Sequence, residues 1–341
     1  MMRRFFIMVA AVLALCGCRH KDLCYLHPHN APVVINVDWS NFVHKETPSG
    51  MTVILYAMGG AAEGNAPRTI LSNNISQVRT ELPEGLYNSI VFNQSITEFG
   101  TLTFRNLDIY SKAEVALEQS PTKWYTRGDE EIIGYEPDWF GTDRYENAEV
   151  TNQMILDCET HSQQVKGNSL EYEIVNHVTY NIIYTLNVTV RIHNAYNLKA
   201  ARAALQGMAE GYLLGAGKAN NVRATQLLES WELETDPSDP TKGWIKAKLL
   251  CFGLPGNHTA KPEENKFDLT LLLVDNKTQL NYKFNVGDLF VKGTDPKELE
   301  LFLSLEIDEP LPDVEPTGGS AGGFDATVED WGEEEDHDVE I

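Results

Sequence analysis

The sequence predicts a mainly β protein folded as two β-sandwiches, with one helix in the second. Three observations carry that prediction. Apolar and polar residues alternate with a period of two through much of the chain, as in Val33, Ile35 and Val37. Turn-forming clusters interrupt the runs at short intervals, at Pro48-Ser49-Gly50, Gly59-Gly60 and Pro83-Glu84-Gly85. Long helices alternating with the strands are missing, so strands must bury their apolar faces against other strands.

Residues 1–17 stand outside the sandwiches. Arg3 and Arg4 precede a short apolar stretch, Phe5 to Leu15, and the segment closes on Leu15-Cys16-Gly17-Cys18. This is the layout of a secretory signal, too short to span a bilayer. The closing tetrapeptide resembles a bacterial lipobox, which makes Cys18 the acylated first residue of the mature chain. Cys16 as acceptor would put bulky Leu15 at the small-residue position. Acyl chains contribute about 0.8 kcal/mol of membrane binding per buried CH₂. Residues 18–32 then form a polar tether.

The first sandwich is expected over residues 33–165. Its strands are expected at Val33 to Trp39, Met51–Met58, Leu86–Phe92, Thr101–Tyr110 and Gln153–Cys158. Gly128–Asn152 has acids, Gly and aromatics without period, so it reads as a long loop anchored by Trp139 and Phe140. The second sandwich is expected over residues 166–315. Its strands are expected at Leu170–Val175, Ile182–His193, Trp244–Phe252, Phe267–Asp275, Gln279–Val286 and Glu298–Ile307. The Ala-rich run from Leu198 to Glu210 is built of strong helix formers, with Asn197 as cap and Gly211 as stop, and predicts the single helix. Asp236-Pro237-Ser238-Asp239-Pro240 reads as a turn.

Residues 316–341 form a Gly-rich linker and an acidic terminal strand. The linker, Pro316 to Gly323, is flexible by composition. Beyond it Phe324, Val328, Trp331, Val339 and Ile341 keep an alternating apolar character, unlike a merely solvating tail. Glu333-Glu334-Glu335-Asp336 breaks the alternation and would not suit an uninterrupted buried strand.

Fifty acidic against 27 basic residues give a formal charge of −23. That balance excludes nucleic acid as a partner, because phosphate binding needs a basic footprint. Of the five cysteines, Cys16 leaves with the signal and Cys18 takes the lipid. Cys24, Cys158 and Cys251 remain, which is no disulfide framework. Cys251 ends an apolar run and reads as core. His20, Cys24, His27 and His29 match no zinc spacing. No nucleophile elbow, metalloprotease helix, phosphate loop or dinucleotide fingerprint occurs, so neither an enzyme nor a cofactor is expected. Trp124, Tyr125, Tyr135, Trp139, Phe140 and Tyr145 have two readings. They pack beneath the middle loop, or they stack on a glycan.

Several stretches resemble one family. Cys18 with Lys21-Asp22-Leu23-Cys24-Tyr25, His27-Pro28-His29 and Asp38-Trp39-Ser40 resembles the start of fimbrillin-like lipoproteins of the Bacteroides group. Leu82-Pro83-Glu84-Gly85-Leu86-Tyr87-Asn88, Ala204 to Gly211, Phe252-Gly253-Leu254-Pro255 and the closing Gly322 to Trp331 are similar to further stretches of that family. The resemblance implies two tandem transthyretin-like Greek-key sandwiches and an outer-membrane lipoprotein that partners pilin-like subunits. Stalk subunits of such pili carry an early Arg at which the first strand is cut away. Asp22 to Pro67 contains none, which implies a pilus anchor that keeps its first strand and its lipid. Phe324, Val328, Trp331, Val339 and Ile341 would then be the groove-facing residues of a donor strand; alternatively the segment closes its own domain. A glycan-binding lipoprotein of a polysaccharide-uptake system is the other functional reading.

Overall fold

The computed structural model describes residues 29–42, 47–60, 63–120, 122, 124–125, 132–164, 170–317 and 336–340. In the first half the strands are β1 (Asn30–Asn41), β2 (Met51–Gly60), β3 (Arg68–Ser72), β4 (Gln77–Pro83) and β5 (Gly85–Asn93). They are followed by β6 (Leu102–Arg105), β7 (Glu114–Leu117), β8 (Ile132–Gly134), β9 (Gly141–Val150), the helix α1 (Asn152–Gln164) and β10 (Tyr172–Asn181). The second half starts with β11 (Tyr184–His193), β12 (Leu198–Ala209), β13 (Gly211–Leu213), β14 (Lys218–Ala219), β15 (Arg223–Leu228) and β16 (Glu232–Asp236). It continues through β17 (Asp239–Cys251), β18 (Lys266–Leu273), β19 (Gln279–Asn285), β20 (Val291–Lys292), β21 (Glu300–Glu306) and β22 (Asp336–Glu340). The mainly β architecture of packed sheets is therefore present, with one α-helix among the described residues, in the first half and not the second.

A seven-stranded sheet in the order β3-β2-β5-β9-β10-β1-β4 dominates the first half. One face lays Ile54, Tyr56, Ile90 and Phe92 against Leu102, Val115 and Leu117 of a smaller four-stranded sheet, β14-β13-β7-β6. The other face carries Val33, Ile35, Val53, Leu55 and Val91, joined by Met154 and Ile155 of α1. With both faces covered, β5 is buried at almost every position and loses the simple alternation of a half-exposed strand.

The second half sandwiches β16-β17-β11-β21-β20 against β22-β19-β18-β12-β15-β8. Leu186, Val188, Ile245, Leu249, Leu303 and Leu305 meet Ala203, Leu205, Phe267, Leu269, Leu271 and Tyr282. The halves interlock through exchanged strands. β8 runs parallel to β15, and β13 pairs with β7.

Several expectations need correcting. The Ala-rich run is not a helix but β12, lying between β15 and β18. Ala203, Ala204 and Leu205 are fully buried. Ladder hydrogen bonds and burial on both faces outweigh the helix preference of Ala, which is worth at most about 0.7 kcal/mol per residue over ordinary residues. Small side chains are what a strand at such a crowded centre requires. Gly207, at φ +85°, forms a bulge against β15; a Cβ there would lie 2.3 Å from the Glu264 carbonyl oxygen.

The helix instead occupies Asn152–Gln164, where Gln153–Cys158 reads as a strand. Thr151 Oγ1 accepts the Met154 amide at 3.3 Å, an N-cap bond. Ile155 and Cys158, three residues apart, are buried while Leu156 between them is exposed. Much of the expected loop Gly128–Asn152 is β8 and β9, disguised by polar side chains on β9. The expected strand Thr101–Tyr110 is pleated only at Leu102–Arg105. The Asp236–Pro240 turn is present, joining β16 to β17, with Asp236 accepting the Ser238 amide at 2.8 Å.

Candidate functional site

The two ends of the chain form the candidate site, because an added or exchanged strand at a sheet edge is one way in which a β-sandwich joins a neighbour. At the N-terminal end, β1 lies inside its sheet, parallel to β10 and antiparallel to β4. Ala31, Val33, Ile35 and Val37 are all buried in the core shared with α1. Removing β1 would uncover these apolar partners and the facing edges of β10 and β4 together. Cys18, His20, Cys24 and His27 lie outside the described residues, as do the signal segment and most of the tether.

At the C-terminal end, Thr317 is tied to the turn between β18 and β19. Its amide donates to the Val274 carbonyl at 3.1 Å and its hydroxyl to that of Asp275 at 2.7 Å. Asn276 Nδ2 donates to the Thr317 carbonyl at 3.3 Å. Asp275 organises the same turn by accepting the amides of Lys277 and Thr278. The chain returns as β22, which runs parallel to β19 and forms the edge of that sheet. Val339 falls opposite Tyr282 and His337 opposite Leu280, both of which β19 buries in the core. Asp338 and Glu340 fall opposite Asn281 and Lys283. Phe324, Val328, Trp331 and Ile341 lie outside the described residues, so of the expected donor residues only Val339 has a register.

The loop aromatics divide. Phe140 is fully buried, stacked on Phe92 at 5.4 Å, and Trp139 packs against the same cluster. These two are the anchors expected of that segment. The Trp124 ring lies 4.7 Å from the Arg202 guanidinium and its indole N–H donates to Glu229. The Tyr125 hydroxyl accepts from Gln206 at 2.8 Å. Tyr135 and Tyr145 are exposed, with Tyr145 set edge-on to His177. The six do not gather into one surface.

A Ser–His–Asp alignment escaped the sequence reading. Ser89 Oγ lies 2.9 Å from His177 Nε2, and His177 Nδ1 lies 2.9 Å from Asp143 Oδ2. The order is that of a nucleophile, base and orienting acid. Ser89 is fully buried in β5, however, and a substrate carbonyl has no approach to it. The alignment instead braces β5, β9 and β10, since β9 and β10 share ladder pairs only at Thr142 and Gly141.

Cys158 and Cys251 are free and buried. Among the described residues no cluster of three His, Cys, Asp or Glu could hold a metal, and no helix is long and apolar enough to cross a membrane.

The sequence profile of DUF5119, a domain of unknown function, matches residues 17–229. The chain belongs to the DUF5119 family. This DUF5119 protein is also 20% identical over 99% of its length, and 98% of the relative's, to a Bacteroides ovatus protein designated a candidate fimbrium anchoring subunit, Fim4B. The crystal structure of a candidate adhesin from Bacteroides ovatus superposes with a TM-score of 0.55 at 14% identity, over 87% of this chain and 99% of that one. That likeness supports the overall fold of this DUF5119 member. A looser similarity, with a TM-score of 0.43 at 11% identity, covers 71% of this chain and 78% of the fimbrial anchor protein Mfa2 of Porphyromonas gingivalis.

Proposed function

We propose that this protein is a lipid-anchored, non-enzymatic fimbrial subunit of the outer membrane. It holds a pilus through Cys18 and offers its C-terminal segment to the first pilin-like subunit as a donor strand. The observation that carries this reading is the slack between the body of the second sandwich and β22. Thr317 is bonded beside Asp275, and β22 begins opposite Gln279, four residues along. Residues 275–278 turn back at the hairpin end, with the Leu273 amide donating to the Thr278 carbonyl at 3.0 Å, so the gap is shorter than the ~13 Å that four extended residues would span. A coil the length of residues 318–335 has an r.m.s. reach of roughly 25 Å, and it extends to about 60 Å. Closing a domain on itself needs far less chain. The surplus suits a strand that leaves its own edge for a neighbour's, where main-chain pairing and alternate side-chain pockets supply the binding.

The other end supports the same role. β1 is buried, no Arg lies between Asp22 and Pro67, and a subunit that keeps its first strand ends a chain of donors instead of continuing it. The full-length likeness to a candidate fimbrium anchoring subunit agrees with this.

Replacing Cys18 tests the anchoring half. In cells carrying Cys18→Ala, fimbriae should be assembled but shed into the medium, and acyl labelling of the protein should vanish. Fimbriae retained on the surface of such cells would refute the lipid anchor.

A further inference from the structure

The fimbrial role leaves one concave feature unused. A cleft of about 370 Å³ is lined by Asn41 at the end of β1, Tyr180 near the end of β10, Ile182 on the β10–β11 connection, Tyr184 at the start of β11, Tyr212 in β13, and Lys297 on the loop before β21. Its volume falls within the range of small-ligand clefts, about 300–1,000 Å³. The sequence offers no sign of it, because Asn41, Tyr212 and Lys297 reach the neighbouring Tyr180 and Tyr184 only in the fold.

The cleft is built, not incidental. Asn181 folds its side chain back on the Ile183 backbone, donating to its carbonyl at 2.8 Å and accepting its amide at 3.1 Å. This fixes the bend that sets Tyr180 and Tyr184 on either side of Ile182. Gly253, at φ +80°, leaves space for the Tyr184 ring, which a Cβ there would approach to 2.8 Å. The Tyr212 hydroxyl hydrogen-bonds that of Tyr180, and burial raises its pKa. Lys297 is presented on an exposed turn whose backbone amide donates to Asp295 at 2.8 Å.

We propose that this cleft is a binding site for a neutral carbohydrate. Phenol rings offer apolar faces to the C–H side of a sugar ring, and their hydroxyls, with the Asn41 amide and the Lys297 ammonium, meet the sugar hydroxyls. The lining contains no carboxylate and a single cation, in a chain of charge −23. A polyanion would find one positive charge in a repelling field. A wholly apolar ligand would leave the Asn41 amide and the Lys297 ammonium in the lining without a use. The site touches β1 only at its last residue, Asn41, lies apart from the β22 edge, and goes beyond the fimbrial role.

The test uses the full mature chain on an array of neutral hexose and N-acetylhexosamine oligosaccharides, with uronate oligosaccharides alongside. Neutral sugars should bind, and Tyr184→Ala and Tyr212→Phe should each weaken binding at least tenfold. Tyr196→Ala, an exposed tyrosine outside the cleft, should leave it unchanged. Lys297→Ala changes only an exposed turn and should weaken binding severalfold, which keeps the test sound if Tyr184→Ala fails to fold. Absence of sugar binding by the parent chain would overturn the proposal. So would preference for uronates, or binding indifferent to both Tyr212→Phe and Lys297→Ala.

Discussion

At the scale of residues, Cys251 and Glu264 show how local environment sets chemistry. Cys251 is fully buried at the end of β17, and burial pushes its thiol up to about 12. A thiol with so little thiolate and no access should be inert. In the native full chain at pH 8, iodoacetamide should leave Cys251 unlabelled and modify it only after unfolding in guanidinium. Native labelling found by mass spectrometry would contradict its place in the core. Glu264 is the opposite case. Its carboxylate accepts the Thr259 amide at 2.8 Å and the Lys261 amide at 3.3 Å, and these bonds, that of Thr259 first, hold its carboxyl down to about 2 against an ordinary 4.5. Because the folded value lies below the unfolded one, the stabilisation is complete above pH 4.5 and is lost as pH falls toward 2. Glu264→Gln should melt below the parent at pH 6, and the two melting curves should converge on acidification. A gap independent of pH would refute the linkage. The core role of Cys251 was legible in its apolar neighbours. The Ser89–His177–Asp143 alignment was not, since its members lie 34 to 88 positions apart.

At the scale of elements, the errors share one cause. Local preference competes with burial, and in this chain burial decides. β12 has the composition of a helix, yet Ala203 and Ala204 sit where two covered faces leave room only for small side chains. α1 has β-like apolar residues at its start, but the Thr151 cap and the spacing of Ile155 and Cys158 mark it as a helix. Those marks were present in the sequence and could have been read. Strands β11, β17, β18, β19 and β21 were legible because their solvent faces stay polar and preserve the alternation. Gly207 is the position where β12 tolerates least change. Gly207→Ala would place a side chain at φ +85° and against the Glu264 carbonyl oxygen, which should cost about 1–3 kcal/mol. Urea denaturation should show a lower midpoint with an unchanged slope. An unaltered midpoint would mean that the bulge is not where we describe it.

At the scale of the whole molecule, the two ends differ in how firmly they are held. β1 is an interior strand whose loss would open the first sandwich, whereas β22 borders a sheet and is joined to the body through residues 318–335. An anchor must hold its own fold while giving something to the next subunit, and this asymmetry is suited to that task. Both ends could be recognised from sequence as special, but the β19 edge that receives β22 could not, because pairing of distant strands leaves no mark on either one. Whether the tail is a donor strand is decided by affinity purification of the full mature protein from its native membrane, with and without residues 324–341, followed by mass spectrometry. We expect a pilin-like subunit to co-purify with the complete chain and to be lost with the truncated one, while both remain folded by circular dichroism. The same partner recovered equally with both chains, or no tail-dependent partner at all, would mean that the tail serves its own domain and would contradict the donor-strand account.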